Sequence, residues 1–252
     1  LGVGVAYGLC NVPWIFDSTP IDHCILAGGA CVLGVILTNY LPEIPENPSF
    51  TLEVEWKTSP TLFYKTGLVI VVLLFLILIW MDSAVFTIIQ ETGNVKAAVW
   101  SDPGQLWLMG FIHFLAAVVA GWLLDRGWLL TCLIAAMGLL IIEAWGLSHP
   151  NDLSIAFATN FYVAAVSIYS TALVAYGALQ PERRYLPKIQ VRAAWVFGIA
   201  GWIGSGLGIG MARDLNAVPG LFILAAVAVS VFSLAGAKYL KREGGPSPRP
   251  AH

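Results

Sequence analysis

The sequence predicts an all-α membrane protein built as a helical bundle, and three observations carry that reading. Of the 252 residues, 58% are hydrophobic and only 11% charged, with a mean hydropathy of +0.78, too little polar surface to cover a soluble core of this size. The apolar residues also gather in runs of the roughly 20 residues that a bilayer crossing needs. Finally, Leu1 to Pro13 (LGVGVAYGLCNVP) and Leu207 to Pro219 (LGIGMARDLNAVP) align without a gap and share seven identities. Two copies of one helix-and-exit pattern about 206 positions apart point to a duplicated membrane bundle, since solenoid repeats are far shorter. The segments 38–41 (TNYL) and 237–240 (AKYL) close the helix after each copy in the same way.

Taken in order, the chain offers a stub at 1–16, a span at 21–41, and six complete spans at 64–90, 104–124, 128–147, 153–179, 192–212 and 217–240. It opens on Leu1 inside an apolar run, with neither an initiator Met nor a charged leader. This predicts a chain entered partway through a longer protein: if the second copy is the eleventh of twelve helices, the first is the fifth, and about four helices precede it.

Between the first span and the later six, the segment 42–60 (PEIPENPSFTLEVEWKTSP) is rich in Pro and Glu and reads as a linker between two bundles. In its middle, Phe50, Leu52, Val54 and Trp56 alternate with Thr51, Glu53 and Glu55, the period of a half-buried strand or of an extended stretch lying on the membrane surface. The tail at 243–252 (EGGPSPRPAH) has a disordered composition.

Basic residues orient the bundle, because loops rich in Lys and Arg stay cytoplasmic. With the linker inside, eleven of them (Lys57, Lys65, Arg126, Arg183, Arg184, Lys188, Arg192, Lys238, Lys241, Arg242 and Arg249) fall on the cytoplasmic side, and only Lys96 and Arg213 outside. The expectation is a multi-pass protein, as in a bacterial inner membrane, with its C-terminus in the cytoplasm. The cluster from Arg183 to Arg192 reads as an orienting loop in contact with anionic lipid heads.

Cys10, Cys24, Cys31 and Cys132 lie in or beside apolar spans without metal-ligand spacing, and read as packing residues. A formal net charge of −2 leaves no basic face for nucleic acid. No nucleophile elbow or phosphate-cradling loop is present, and the glycines near 200 follow no strand, so neither an enzyme nor a cofactor is expected.

Gly121-Trp-Leu-Leu-Asp-Arg126, in the turn between the second and third complete spans, resembles the G-x-L-x-D-R loop signature of the major facilitator superfamily. In that family the motif sits between helices two and three, with a weaker copy between eight and nine, which is the position matched here. The usual following Gly-Arg-Arg is replaced by Gly127-Trp128-Leu129. Physically, Gly121 would permit close helix approach, Asp125 would cap or pair with a helix end, and Arg126 would anchor the inner face.

The resemblance implies two six-helix bundles around a central cavity. Residues 1–41 would end the first bundle as helices five and six, with 42–60 the cytoplasmic linker, 61–242 the second bundle of helices seven to twelve, and 243–252 the tail. Helices seven, eight, ten and eleven would line the cavity, while nine and twelve buttress it.

Ionisable groups inside a bilayer are costly and are therefore candidates for function. Asp82 lies nine residues before Glu91, about 13 Å below the outer end of its span. It reads either as a proton- or cation-coupling carboxylate, with Ser83 as a second oxygen, or as a group capping a helix break at Ser83 or paired with a neighbour. His113, close to mid-membrane, is either a relay and substrate donor or a hydrogen-bonded packing residue. Glu143, four residues before the end of its span, can reach the interface and reads as structural.

Tyr162, Tyr169 and Tyr176 recur every seven residues, with Thr159, Asn160, Ser167 and Ser170 nearby, so the three rings share one stripe. It faces either a wet cavity or neighbouring helices, with an interfacial belt as a further place for Tyr176. Gly198, Gly201, Gly204, Gly206, Gly208 and Gly210 form a small-residue face for close helix packing, and Trp195 and Trp202 read as packing or cavity-wall residues.

These features point to a secondary active transporter moving a small solute by alternating access, coupled to protons or cations through Asp82 and His113, with Asn160, Tyr162 and Tyr169 on the pathway. The alternative is a non-transporting protein on the same fold, an assembly factor or subunit of a membrane complex. The absence of Arg or Lys from the middle of the spans argues against a phosphate or dicarboxylate solute.

Overall fold

The computed structural model describes residues 2–38, 40, 67–147, 152–177, 179, 191 and 193–243; among these the chain is helical and contains no strand. The linker 42–60 with its alternating segment, the basic cluster from Arg183 to Arg192, and the tail beyond Glu243 lie outside the described residues.

The helices are α1 (Gly2–Cys10), α2 (Pro13–Phe16), α3 (Pro20–Thr38), α4 (Gly67–Glu91), α5 (Gly93–Trp100), α6 (Pro103–Asp125), α7 (Leu129–Leu147), α8 (Asp152–Ala175), a π-helical segment (Val196–Gly204) running directly into α9 (Ser205–Leu215), and α10 (Gly220–Glu243). Five stretches are long and apolar enough to cross a membrane: Leu68–Glu91, Pro103–Asp125, Leu129–Leu147, Phe157–Ala175 and Ala193–Leu215. Pro20–Ile36 and Gly220–Gly236 are shorter apolar helices. Trp107, Phe111, Trp145 and Phe232 are exposed while His113, Glu143, Thr159 and Ser167 are buried. That distribution inverts the soluble pattern and suits a multi-pass membrane protein.

Local chemistry sets the boundaries. Asp102 caps α6, its carboxylate oxygens accepting from the Gly104 and Gln105 amides at 3.2 and 3.1 Å, with Pro103 at the first helical position. At the other end Gly127 adopts φ 77, and the Gly127 and Trp128 amides donate to the Leu124 and Leu123 carbonyls. This Schellman closure requires the left-handed residue, so Gly127 stops the helix. Thr19 and Asp22 form a reciprocal capping box at the start of α3. Pro219 and the left-handed Asn216 (φ 50) separate α9 from α10.

α4 is the central helix, packed by the π segment with α9, by α7 and by α5, while α8 lies between α6 and α7. Glycines set the two closest crossings. A Cβ on Gly204 would lie 3.0 Å from the Leu76 carbonyl oxygen; on Gly208 it would overlap the Trp80 carbonyl and lie 2.8 Å from Ser83 Cβ. A Cβ on Gly4 would lie 2.9 Å from Ala117 Cβ, and Gly8 faces Gly110, which brings α1 against α6. Both are G-x-x-x-G crossings.

Several expectations change here. Of the six glycines from Gly198 to Gly210 only Gly204 and Gly208 meet a neighbour among the described residues; Gly198, Gly201, Gly206 and Gly210 have nothing within 4 Å, because a helix presents one face at a time to its partner. The two repeat copies pack through different positions, Gly4 and Gly8 in one and Gly208 in the other, and leave their helices differently: the second turns left-handed at Asn216, while the first runs on into α2 with no left-handed residue. Trp195 and Trp202 are exposed, Trp202 at 85%. α3 is helical as expected, yet every side chain from Pro20 to Ile36 is exposed. α5 was not foreseen: Val95 and Val99 tuck beneath it while Lys96 points outward.

Candidate functional site

Three helices meet at Asp82: α4, which carries it, α8, whose Tyr169 and Tyr162 reach it, and α9, which shares the lining of the cavity above it. α4 runs unbroken through Ser83, so a helix break there, one expectation for this carboxylate, does not occur. Its continuity places Asp82, Ser83, Thr87, Gln90 and Glu91 along one flank in successive turns. The Gly204 and Gly208 crossing then carries Ser205 to that flank, where Ser83 Oγ donates to Ser205 Oγ at 3.2 Å. Thr87 turns its hydroxyl back to the Ser83 carbonyl at 2.7 Å. The nine-residue π segment immediately before Ser205 widens the helix just where this approach occurs.

The result is a cavity of about 230 Å³ lined by Asp82, Ser83, Phe86, Thr87, Gln90, Glu91, Ser205, Ile209 and Arg213. Glu91 and Arg213 meet across its mouth at 3.0 Å. Their side chains are 46% and 65% exposed, so the pair adds little stability and serves mainly to neutralise Arg213.

Below the cavity lies a hydroxyl-rich network. Tyr169 donates to Asp82 Oδ2 at 2.6 Å, and Tyr162 approaches the same carboxyl. Asp82 Oδ1 is covered and has no hydrogen-bond donor. Next to these tyrosines, Ser170 Oγ meets the Tyr7 hydroxyl of α1 at 3.1 Å, and Ser167 Oγ meets His113 Nδ1 at 2.7 Å. The Tyr7 ring stacks on His113, with centroids 4.7 Å apart and an interplanar angle of 13°. α1, α4, α6 and α8 thus share one polar centre in an apolar surround.

The structure therefore brings Asp82, Tyr162 and Tyr169 together and places His113 one layer away, hydrogen-bonded and stacked. All three stripe tyrosines are buried. Tyr176 packs edge-on against Phe75 with centroids 6.2 Å apart, so it occupies no interfacial belt. Asn160 is half-buried on α8, outside the cavity lining.

The loop motif sits at the opposite end. Arg126 donates to the Trp122 carbonyl at 3.0 Å and lies over the Trp122 ring at 3.6 Å, while Asp125 is exposed. Gly121 has open space where a Cβ would point, so among the described residues it mediates no close approach; the conformational demand in this turn falls on Gly127.

Glu143 departs most from expectation. It is fully buried, and neither carboxyl oxygen has a hydrogen-bond partner, so it does not reach the interface. Its place on α7 faces the core with Leu140 and Ala144, because helical spacing leaves no outward path. Tyr7, Ser83's partner Ser205, and the Glu91–Arg213 pair were not singled out beforehand. Density of glycine before Ser205 was the available signal for the crossing. Among the described residues no group of three His, Cys, Asp or Glu side chains is arranged to hold a metal.

No family model, curated protein or solved structure matches the chain.

Proposed function

We propose that the protein is a secondary active transporter of the major facilitator type, moving a small solute by alternating access with a proton or cation coupled through Asp82. The observation that carries this reading is where the polar groups gather. They come from α4, α6, α8 and α9, the helices that the superfamily resemblance makes seven, eight, ten and eleven and assigns to the cavity wall. The cavity itself is lined by α4 and α9, and α6 and α8 join through the hydrogen-bonded network beneath it; α7, the ninth in that scheme, contributes only Glu143, buried away from the cavity, and the buried serines of α10, the twelfth, bond back to their own helix. α1, the remnant of the first bundle in that scheme, lies against helices eight and ten, where a facing bundle belongs.

Asp82 suits coupling because it stands at the junction of an opening cavity and a buried hydroxyl network. Loading or emptying that carboxyl changes the charge held between α4, α8 and α9, which biases their packing in a low-dielectric setting. The glycine crossing of α4 with the π segment supplies a contact smooth enough for the helices to rock.

The test is gradient-driven flux. Full-length protein in vesicles loaded with a pH-sensitive dye is challenged with a panel of amines, sugars and organic anions, and the same panel is run on Asp82→Asn. A solute-evoked pH change or uptake that disappears in the variant is the expected result. Uptake unchanged in rate and pH dependence would remove the coupling role. Silence across the panel, together with stable co-purification of membrane partners, would favour an assembly factor on the same fold.

A further inference from the structure

The cavity over Asp82 has an unbalanced set of charges and hydrogen-bonding groups, and that imbalance specifies a ligand. Its lining contains three ionisable side chains: Asp82 at the floor, and Glu91 with Arg213 at the mouth. Arg213 is already matched by Glu91 at 3.0 Å. Asp82 has no cationic neighbour in the lining; its partners are the phenol hydroxyls of Tyr169 and Tyr162. One of its oxygens, Oδ1, accepts nothing.

The hydroxyls cannot correct this. Ser83 donates to Ser205, and Thr87 donates to the Ser83 carbonyl; the remaining donors of the lining, on Ser205 and Gln90, are neutral and supply no positive charge. What the floor offers is a carboxyl with no cationic neighbour in the lining, under a wall that includes Phe86, 41% exposed. An anion there would meet Asp82 with no free positive group, and a neutral solute would leave the charge unmatched. A small cation resolves both problems, and the ring face adds cation–π attraction.

Building on the transport reading, we propose that this cavity selects a small monovalent organic cation, an amine or quaternary ammonium ion, over neutral and anionic solutes. Recognition is chiefly electrostatic: the cation sits over the floor between Asp82 and Phe86, and Glu91 with Arg213 forms the rim through which it enters. Because Glu91 is committed to Arg213, the selectivity rests on Asp82.

The experiment is equilibrium binding of radiolabelled tetraethylammonium to the full-length protein, with unlabelled tetramethylammonium, glucose and lactate as competitors. Wild-type protein is expected to bind it saturably and to lose it to tetramethylammonium but to neither of the others. Asp82→Asn should weaken binding by at least about thirtyfold, as removal of one buried charge partner does, while Asp82→Glu retains most of it. Equal competition by glucose or lactate, no saturable binding by wild type, or wild-type affinity in Asp82→Asn overturns the proposal. The competition arm uses wild-type protein alone and so is unaffected if a variant folds poorly. Neutral-solute flux that depends on Asp82 without tetraethylammonium binding would retain the transporter and remove the cation preference. Saturable cation binding without any gradient-driven flux would do the reverse.

Discussion

Replacing Gly208 by Ala tests how the site is assembled. The new Cβ would lie 2.8 Å from Ser83 Cβ and 3.0 Å from the Ala84 amide nitrogen, and would overlap the Trp80 carbonyl. Carbon pairs settle at about 3.5–4.0 Å, so α4 and α9 must move apart by roughly 1 Å at this point. The Ser83–Ser205 hydrogen bond, already 3.2 Å long, would then exceed hydrogen-bonding range. Overpacking of this kind costs about 1–3 kcal/mol, and the lost hydrogen bond about 1 kcal/mol more.

The control is Gly206→Ala on the same helix, where nothing lies within 4 Å. There the substitution removes only glycine's conformational freedom and should stabilise by about 0.5–1 kcal/mol. Thermal unfolding of both variants in detergent, followed by tryptophan fluorescence, should therefore separate them. With about 2–4 °C per kcal/mol for a domain of this size, Gly208→Ala should melt some 5–15 °C below Gly206→Ala. Equal melting temperatures would mean that the close approach of α4 and α9 does not build the site, and the account of the cavity floor would fail with it.

Two further substitutions probe the frame. Gly127→Ala forces an L side chain into φ 77 and should destabilise by about 1–2 kcal/mol, whereas Gly121→Ala, helical and with open space around it, should stabilise by about 0.5–1 kcal/mol in the same melt, as at Gly206. Glu143→Met removes a fully buried carboxyl without hydrogen-bond partners and should raise stability by about 1–3 kcal/mol; a lower melting temperature would show that the carboxyl has a stabilising partner.

Periodicity and length made the spans legible, because a bilayer imposes one helix length and the apolar runs match it. The observed α6, Pro103–Asp125, lies within one residue of the expected 104–124 at each end, since Asp102, Pro103 and Gly127 are unambiguous stop signals. Asp82 and the stripe tyrosines were also legible, because polar groups in apolar runs stand out. What the sequence did not show were contacts between helices distant in the chain. Tyr7 sits 163 positions from Ser170, and Ser83 is 122 from Ser205; no local pattern marks such pairs. Glu143 was misplaced for a related reason: its distance from the helix end was readable, but the face on which it lies depends on which neighbours pack against α7. Tyr162 and Tyr169 share a stripe with Tyr176, yet the first two meet Asp82 while Tyr176, about two turns further along, packs on Phe75.

The central claim is that the cavity over Asp82 belongs to a pathway across the membrane, and accessibility from the two faces tests it most directly. Ser83→Cys is placed in protein whose exposed Cys10, Cys24 and Cys31 are changed to serine, and a membrane-impermeant methanethiosulfonate is applied to either face of oriented vesicles. Alternating access predicts modification of position 83 from both faces, in separate experiments. Modification from the outer face alone, unchanged by any imposed gradient, would contradict the account.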